Sequence, residues 1–230
     1  MKKIFLFVLL ISSLFYYNLS AIGVSLGFVG QFAMSGAVAD SSSILPSSFR
    51  DFDMGYSLLV GIKNNITDNT GISILADIGY YHDSYALKYD INGNRATENY
   101  QFDSFMIGGL FRFNFFFMSL SGGGGVKIPI SGSYRIENDY SNPFSYNGKY
   151  YLDRGDITDI FENALIPYIK FSLDFHILNY LLLGVYVNYD FALQFNNNDY
   201  FKDMRIANKS ISSLDIGLQF GYFLDFFKDR

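Results

Sequence analysis

The chain has 230 residues, of which 50% are hydrophobic, 19% aromatic and 17% charged, and it contains neither Cys nor Trp. The aromatic content excludes a disordered chain, and the absence of Cys excludes disulfide scaffolds and cysteine-based zinc sites. The net charge of −5 argues against a nucleic-acid-binding protein, which would normally be basic. The length suits a single domain.

The first 21 residues have the layout of a secretory signal peptide. A positively charged start precedes an apolar stretch from Ile4 to Tyr17, and Ala21 ends a suitable cleavage site. The apolar stretch is shorter than the ~20 residues of a membrane-spanning helix. We therefore expect residues 1–21 to be a signal peptide and residues 22–230 to form one exported domain.

From residue 22 onward, hydrophobic residues recur with the period of two that belongs to β-strands. Eight segments show large apolar residues on one parity and mostly glycine, serine and isolated charges on the other. A soluble β-sandwich would bury the bulky face of each sheet and carry charged residues on the outer face. Here the polar face is too small for a dry core, so the bulky face is expected to meet lipid. The apolar parity of the eight segments begins with Ile22, Met54, Ile72, Phe105, Met118, Leu165, Leu181 and Leu214.

The connections between the eight segments alternate between long and short. This alternation is typical of transmembrane β-barrels, whose sheet must close because lipid cannot satisfy an open edge. We predict an all-β fold, a closed antiparallel up-and-down barrel of eight strands, in the outer membrane of a diderm bacterium. The long connections, expected outside the cell, are 36–53, 83–101, 132–164 and 195–212, and the short ones are 64–71, 115–116 and 177–180.

Three local features refine this prediction. Asn92-Gly93 predicts a hairpin within the second outer loop. Pro129 and Pro167 predict a bulge or splayed strands, because proline leaves the ladder without a donor. Aromatic residues gather at the strand ends, including Tyr81 and Phe102 at the outer rim, as in the girdles of outer-membrane barrels.

The last segment carries a short motif in the order polar, any, glycine, any, any, apolar, any, apolar. Gln219, Gly221, Leu224 and Phe226 fill its defined positions. With this motif and its alternating strands, the chain resembles the small eight-stranded outer-membrane barrels, the OmpX-like and OmpA-transmembrane-domain-like group. The resemblance implies insertion among outer-membrane lipids by the barrel-assembly machinery. The chain departs from the group in lacking Trp and in continuing past the motif to Arg230.

Seven charged residues fall on the inward parity of the predicted strands. An eight-stranded barrel is just wide enough for side chains to fill, and an unpaired charge there would be costly. We therefore expect a paired network that closes the lumen, with a narrow ion path as the alternative. The seven residues are Asp77, Arg112, Lys127, Lys170, Asp174, Asp190 and Asp215.

Two residues near the outer rim are candidates for catalysis. His82 and Ser84 share the lipid-facing parity and resemble the pair in outer-membrane lipid A deacylases, where a His base activates a Ser nucleophile. The Asn that follows the Ser in that family is Tyr85 here, and the sequence assigns no acidic partner. We expect no enzymatic activity and no cofactor. We also expect no metal, because Cys is absent and the two histidines are far apart.

These observations predict a non-enzymatic outer-membrane protein. Its long loops would contact an extracellular ligand, as in an adhesin, or the barrel would support the envelope. Three alternatives stay open: a narrow porin-like channel, a lipid-modifying enzyme, and a periplasmic lipocalin-like barrel with a large apolar cavity. We expect no nucleic-acid partner.

Overall fold

The computed structural model describes residues 22–39, 44–46, 51–67, 69–91, 94–138, 148–177, 180–194 and 210–227. The predicted signal peptide, residues 1–21, lies outside the described residues. So do Asn92-Gly93 and the middle portions of the outer loops.

The described chain is almost entirely β-strand. Eight long strands are joined by two short ones and one short helix. Within the part of the chain that the structure describes, no helix is long and apolar enough to cross a membrane. In chain order the elements are β1 (Ile22–Ala39), β2 (Ile44–Pro46), β3 (Asp51–Thr67), β4 (Thr70–Ile91), β5 (Asn94–Phe115), β6 (Met118–Asn138), β7 (Gly148–Leu152), α1 (Arg154–Ile160), β8 (Ile166–Ile177), β9 (Leu181–Gln194) and β10 (Ser210–Phe227).

The eight long strands form a closed barrel. Each pairs antiparallel with the long strands before and after it in the chain, and β1 pairs with β10 to close the ring. β2 and β7 add to the outer ends of β4 and β6. The predicted eight-stranded up-and-down barrel is therefore confirmed.

The two faces of the strands follow the predicted alternation. Val24, Leu58 and Leu218 leave 53%, 43% and 57% of their surface exposed, whereas Ser25 and Ser57 are fully buried. The outward apolar residues form a continuous belt around the barrel. A belt of this size is stable only against an apolar medium, which for a closed barrel is lipid.

Tyr81 and Phe102 are exceptions to the predicted outer girdle, and that prediction is wrong for both. They are buried inside the barrel. Each continues the inward parity of its strand, Tyr81 with Asp77 on β4 and Phe102 with Met106 on β5. Position near the strand end suggested a girdle, but the alternation of faces decides where the side chain lies.

The strands extend further at the outer end than predicted. β4 and β5 stay paired from Thr70 and Phe115 to Ile91 and Asn94, and the predicted turn itself, Asn92-Gly93, lies outside the described residues. The pairing continues because backbone hydrogen bonds hold the strands together whatever their side chains are. Alternating apolar side chains are required only within the lipid band. Residues predicted as outer loops but found in strands are 36–39, 44–46, 51–53, 83–91, 94–101, 132–138, 148–152 and 210–212.

Pro129 produces the predicted bulge in β6. Ser104 pairs with Pro129 while the adjacent Asp103 pairs with Ser131, so one residue of β6 is left over. The described β8 pairing of β6 ends at Lys127, so the missing N–H of Pro129 leaves no β8 carbonyl without a donor. Pro167 is the second residue of β8 and pairs in regular register, so no bulge occurs there.

Candidate functional site

The barrel lumen is filled by buried charged side chains, beginning with Arg112 on β5. Its Nη2 lies 3.3 Å from Oδ2 of Asp174 on β8, and its Nε donates to the Ser121 hydroxyl at 3.1 Å. Asp174 also accepts a hydrogen bond from the side-chain amide of Gln219. The guanidinium lies 4.3 Å from the ring centroid of Phe223, a cation–π distance. These contacts join four strands around one ion pair.

A second ion pair joins Lys170 on β8 to Asp77 on β4. The Nζ of Lys170 lies 3.5 Å from Oδ2 of Asp77, and both side chains are buried. The ammonium also lies 5.5 Å from the Tyr186 ring centroid. The hydroxyls of Tyr186 and Tyr81 share a hydrogen bond of 2.8 Å across the lumen.

The third cation, Lys127 on β6, faces several carboxylates. Its Nζ lies 2.5 Å from Asp83, 2.8 Å from Asp190 and 4.0 Å from Asp215. The ammonium also lies 4.0 Å from the ring centroid of Tyr81. Lys127 is 1% exposed, so this cluster is shielded from bulk water.

Neutral side chains hold two of these carboxylates in place. The Asn188 amide donates to Asp190 at 2.9 Å and to Asp215 at 2.8 Å. The Ser213 hydroxyl lies 3.2 and 3.1 Å from the same two carboxylates and shares its one proton between them. Tyr85 donates to Asp190 at 3.1 Å. The seven predicted lumen charges are all buried, in three clusters around Arg112, Lys170 and Lys127.

Sequence reasoning missed two members of the Lys127 cluster, Asp53 and Asp83. Both are fully buried, and one carboxylate oxygen each of Asp53, Asp83 and Asp215 lies within 4.8 Å of the others. Both had been assigned to loops. Extending the inward parity of Ser57 and Asp77 by a few residues finds them, so the period of two carried the signal.

A short helix closes the outer end of the lumen. α1 begins with a capping box, in which Asp153 accepts from the Asp156 amide at 2.9 Å and Asp156 accepts from the Asp153 amide at 3.0 Å. The helix buries Ile157 and Ile160 on one side, and the fully buried Phe161 follows. We call this the apolar cap; its buried members are Ala37, Tyr85, Tyr100, Phe102, Ile157, Ile160, Phe161, Ile166 and Leu193.

An apolar layer and one more ion pair lie toward the inner end. The layer contradicts the expectation of an interior made of small and polar residues, since large apolar side chains also take inward positions. Below it, Lys63 lies 2.6 Å from Asp225, which also accepts from the Ser25 hydroxyl at 2.6 Å. The buried members of the layer are Val29, Leu59, Leu75, Leu110, Leu182 and Phe223.

His82 lies on the outer surface of the barrel with a carboxylate beside it. Its Nδ1 is 2.8 Å from Oδ1 of Asp103, which also accepts from the Tyr80 hydroxyl, and Ser131 donates to Oδ2 at 3.1 Å. Ser84 is 3% exposed, so the expectation that it faces lipid is wrong. Among the residues that the structure describes, no hydrogen bond joins His82 to Ser84.

The predicted assembly signal lies on β10, the strand that closes the barrel. Gln219 faces the lumen and binds Asp174, while Leu224 and Phe226 are exposed on the lipid side. A Cβ at Gly221 would lie 2.0 Å from the Phe28 carbonyl oxygen, so only glycine fits this closure point. Recognition of the motif by assembly machinery stays a prediction.

A scan against protein-family models finds no match, and a search of curated proteins also finds none. Among solved structures, Ail, the attachment invasion locus protein of Yersinia pestis, is 13% identical, with 89% of this chain and 98% of Ail covered at a TM-score of 0.37. Neisserial surface protein A is 8% identical, with 86% and 96% covered and a TM-score of 0.37. The N-terminal β-barrel domain of Pseudomonas aeruginosa OprF is 11% identical, with 86% and 99% covered and a TM-score of 0.31.

The strand pairing and the apolar belt together define the environment of this chain. The ring of paired strands leaves no open sheet edge for lipid to meet. Each long strand has at least 12 residues, more than the ~9–11 that cross a bilayer. A closed barrel with a continuous apolar belt outside and paired charges buried inside is an outer-membrane protein.

Proposed function

We propose that this outer-membrane barrel is a non-enzymatic protein that contacts extracellular ligands, with its membrane-embedded part serving as a rigid stem. One observation carries the proposal: the lumen is filled and capped, while the strands continue well past the membrane. A passage for solutes would need the opposite arrangement. The chain instead places ordered strands outside the lipid band.

The filled lumen argues against a channel. Arg112, Lys127 and Lys170 are each at most 3% exposed and are paired with carboxylates across the interior. The apolar cap lies over these cations, and a permeating ion would have to displace both the cap and the ion pairs. A charge that leaves its partner in so narrow a space would bear the full cost of desolvation.

The extension beyond the membrane supports a contact function. β4 has 22 residues, about twice the number that a tilted strand needs to cross the bilayer. Because antiparallel pairing holds β4 and β5 together to Ile91 and Asn94, the extension is an ordered platform. A preordered surface loses less conformational entropy when it binds a partner.

The short strand β7 presents exposed aromatic side chains on this platform. Tyr150 and Tyr151 are 46% and 80% exposed. The Nζ of Lys149 lies 5.2 Å from the Tyr151 ring centroid. Aromatic residues carry much of the energy at protein interfaces, so we propose that this edge is part of the contact surface.

The proposal is tested by cell binding. Cells that display the full chain are measured on an immobilised extracellular-matrix extract, with a Tyr150→Ser, Tyr151→Ser double variant and a Phe117→Ser control. Phe117 is 61% exposed at the inner turn and cannot reach the outside. We expect the double variant to bind about tenfold more weakly, the effect of about 1.4 kcal/mol, and the control to bind like the wild type. Wild-type cells that attach to the extract no better than cells lacking the chain would contradict the contact function.

Conductance provides the second test. Purified barrel in a planar lipid bilayer is expected to give no stable single-channel current, because the paired charges and the apolar cap fill the path. Large, stable single-channel openings in the wild type would contradict the proposed closed stem and would indicate a channel.

A lipid-modifying enzyme is the second candidate, and one observation favours it: Asp103 supplies the acidic partner for His82 that the sequence did not assign. The burial of Ser84 and its lack of a hydrogen bond to His82 favour the non-enzymatic function. Acyl release from lipid A by the wild type, lost in His82→Ala, would establish the enzyme instead.

A further inference from the structure

The lumen holds more buried carboxylates than buried cations. Six aspartates and three cations are buried within the described part of the barrel. Arg112 and Lys170 each pair with one aspartate, which leaves Lys127 alone among the remaining four. Four like charges around one ammonium are a costly arrangement without further positive charge. The four are Asp53, Asp83, Asp190 and Asp215.

Asp53 is the least satisfied member of this cluster. Its side chain is fully buried, and neither of its carboxylate oxygens has a partner at full hydrogen-bond geometry among the described residues, although the Ser35 hydroxyl and Lys127 interact with it more weakly. One oxygen of Asp53 nevertheless lies within 4.8 Å of an oxygen of Asp83 and of Asp215. Oδ2 of Asp83 is also without a partner in the same part of the structure. Unpaired buried oxygens of this kind are rare because each bears a desolvation penalty.

We propose that Asp53, Asp83 and Asp215 bind one divalent cation of the calcium class. Hard cations of this class prefer carboxylate oxygens. With Ca²⁺–oxygen distances of about 2.3–2.6 Å, two ligands on opposite sides of the ion lie up to about 5 Å apart. The spacing of the three oxygens, all within 4.8 Å of one another, falls inside this limit. Mg²⁺ demands a near-ideal octahedron and usually keeps several waters, which a cluster shielded from bulk water suits less well than the flexible coordination of Ca²⁺.

Lys127 is compatible with this site because its ammonium occupies only part of the available carboxylate oxygens. Its short contacts go to Asp83 Oδ1 and to Asp190, and it lies 4.0 Å from Asp215. Asp83 can therefore use Oδ1 for the ammonium and its unpartnered Oδ2 for the metal. The ion offsets most of the excess negative charge that Lys127 leaves.

The position of the site assigns it a structural role. Asp53, Asp83 and Asp215 come from β3, β4 and β10, so one ion ties three strands together where the extension leaves the barrel. Tyr85, a member of the apolar cap, donates to Asp190 of the same cluster. The cap therefore lies next to the ion and slows its exchange. This inference concerns the lumen and does not depend on which ligand the outer surface contacts.

Calcium binding by the refolded full chain tests the site. The protein is refolded into detergent micelles with radioactive Ca²⁺, so that the ion enters before the cap closes, and is then dialysed. We expect about one Ca²⁺ per wild-type chain. Asp53→Asn should lose it, because an amide keeps the shape but not the charge. Asp225→Asn, at the partly exposed inner pair, should bind like the wild type.

Thermal unfolding distinguishes the site from a merely structural aspartate. In a chelator, Asp53→Asn should melt above the wild type because it removes one of four repelling charges; in millimolar Ca²⁺ the order should reverse. A variant that simply folds badly would melt lower in both conditions. The proposal is wrong if the wild type binds no Ca²⁺, if Asp53→Asn binds as much, or if Mg²⁺ alone shifts the melting temperature. It is equally wrong if acidification stabilises the wild type while Ca²⁺ does not, since protons would then neutralise the cluster.

Discussion

The Arg112–Asp174 ion pair offers a direct test of how the buried lumen network stabilises the barrel. Arg112→Met removes the charge but keeps a long side chain that can pack on the Phe223 ring. Asp174 is then a fully buried carboxylate without a counter-charge. Breaking a buried pair in this way costs about 3–5 kcal/mol. The folding constant should therefore fall by roughly a hundredfold or more, since about 1.4 kcal/mol corresponds to a factor of ten.

The solvent exposure of an ion pair, rather than the distance between its charged atoms, should decide how much stability is lost when the pair is broken. The Lys63–Asp225 pair is shorter, 2.6 Å against 3.3 Å, but its side chains are 16% and 22% exposed while those of Arg112 and Asp174 are not exposed. Lys63→Met is therefore expected to cost less than about 1 kcal/mol. Adding Asp174→Asn to Arg112→Met should recover much of the loss, because no buried charge is left unpaired.

Urea unfolding in detergent micelles measures these differences. The chain contains no Trp, so folding is followed by circular dichroism and by the gel migration of unheated samples. The reasoning is refuted if Arg112→Met and Lys63→Met lose equal stability. A double variant as unstable as Arg112→Met alone would refute it as well.

Two further predictions concern the inner and outer faces of the strands. A Cβ at Gly108 would lie 2.2 Å from the Tyr168 hydroxyl in the lumen, whereas a Cβ at the outward Gly109 meets no atom closer than 3.8 Å. Gly108→Ala should therefore cost about 1–3 kcal/mol in urea unfolding and Gly109→Ala less than about 0.5 kcal/mol; equal effects would contradict this packing. Val185 is exposed in the middle of β9. Val185→Lys should lower the free energy of unfolding in lipid vesicles by about 2–4 kcal/mol. Val185→Leu is the neutral control, and a tolerated Lys would mean that this face does not meet lipid.

The fold could be predicted because its signal is local. Alternation with a period of two places every second side chain on the same face of a strand. Large apolar residues on one face and small polar ones on the other therefore indicated both the strands and the medium outside them. The outer strand ends were missed because, once past lipid, pairing no longer requires an apolar face. Asp53 and Asp83 lie in these strand ends and were therefore missed as lumen residues, although both keep the inward parity.

The lumen could be predicted only as a set of residues, because pairing depends on strands that are distant in the sequence. Arg112 and Asp174 are 62 residues apart and Lys127 and Asp190 are 63 apart. Parity states that each faces inward, but the register between strands sets its height in the barrel. The helix of the apolar cap lies within the long predicted loop. Ile157, Ile160 and Phe161 have the spacing of a helix face, but seven helical residues are too few for the period to stand out.

Composition and charge limited the classes of protein that the chain could belong to. The alternation of residue types determined the barrel, its lipid-facing belt and its inward charges, because successive side chains of a strand point to opposite faces. The tertiary structure decided which carboxylate meets which cation, that α1 caps the lumen, and that four aspartates surround one lysine. Those outcomes depend on the closure of β1 against β10, which fixes the height and angle of every inward side chain at once and is not written in any single segment of the sequence.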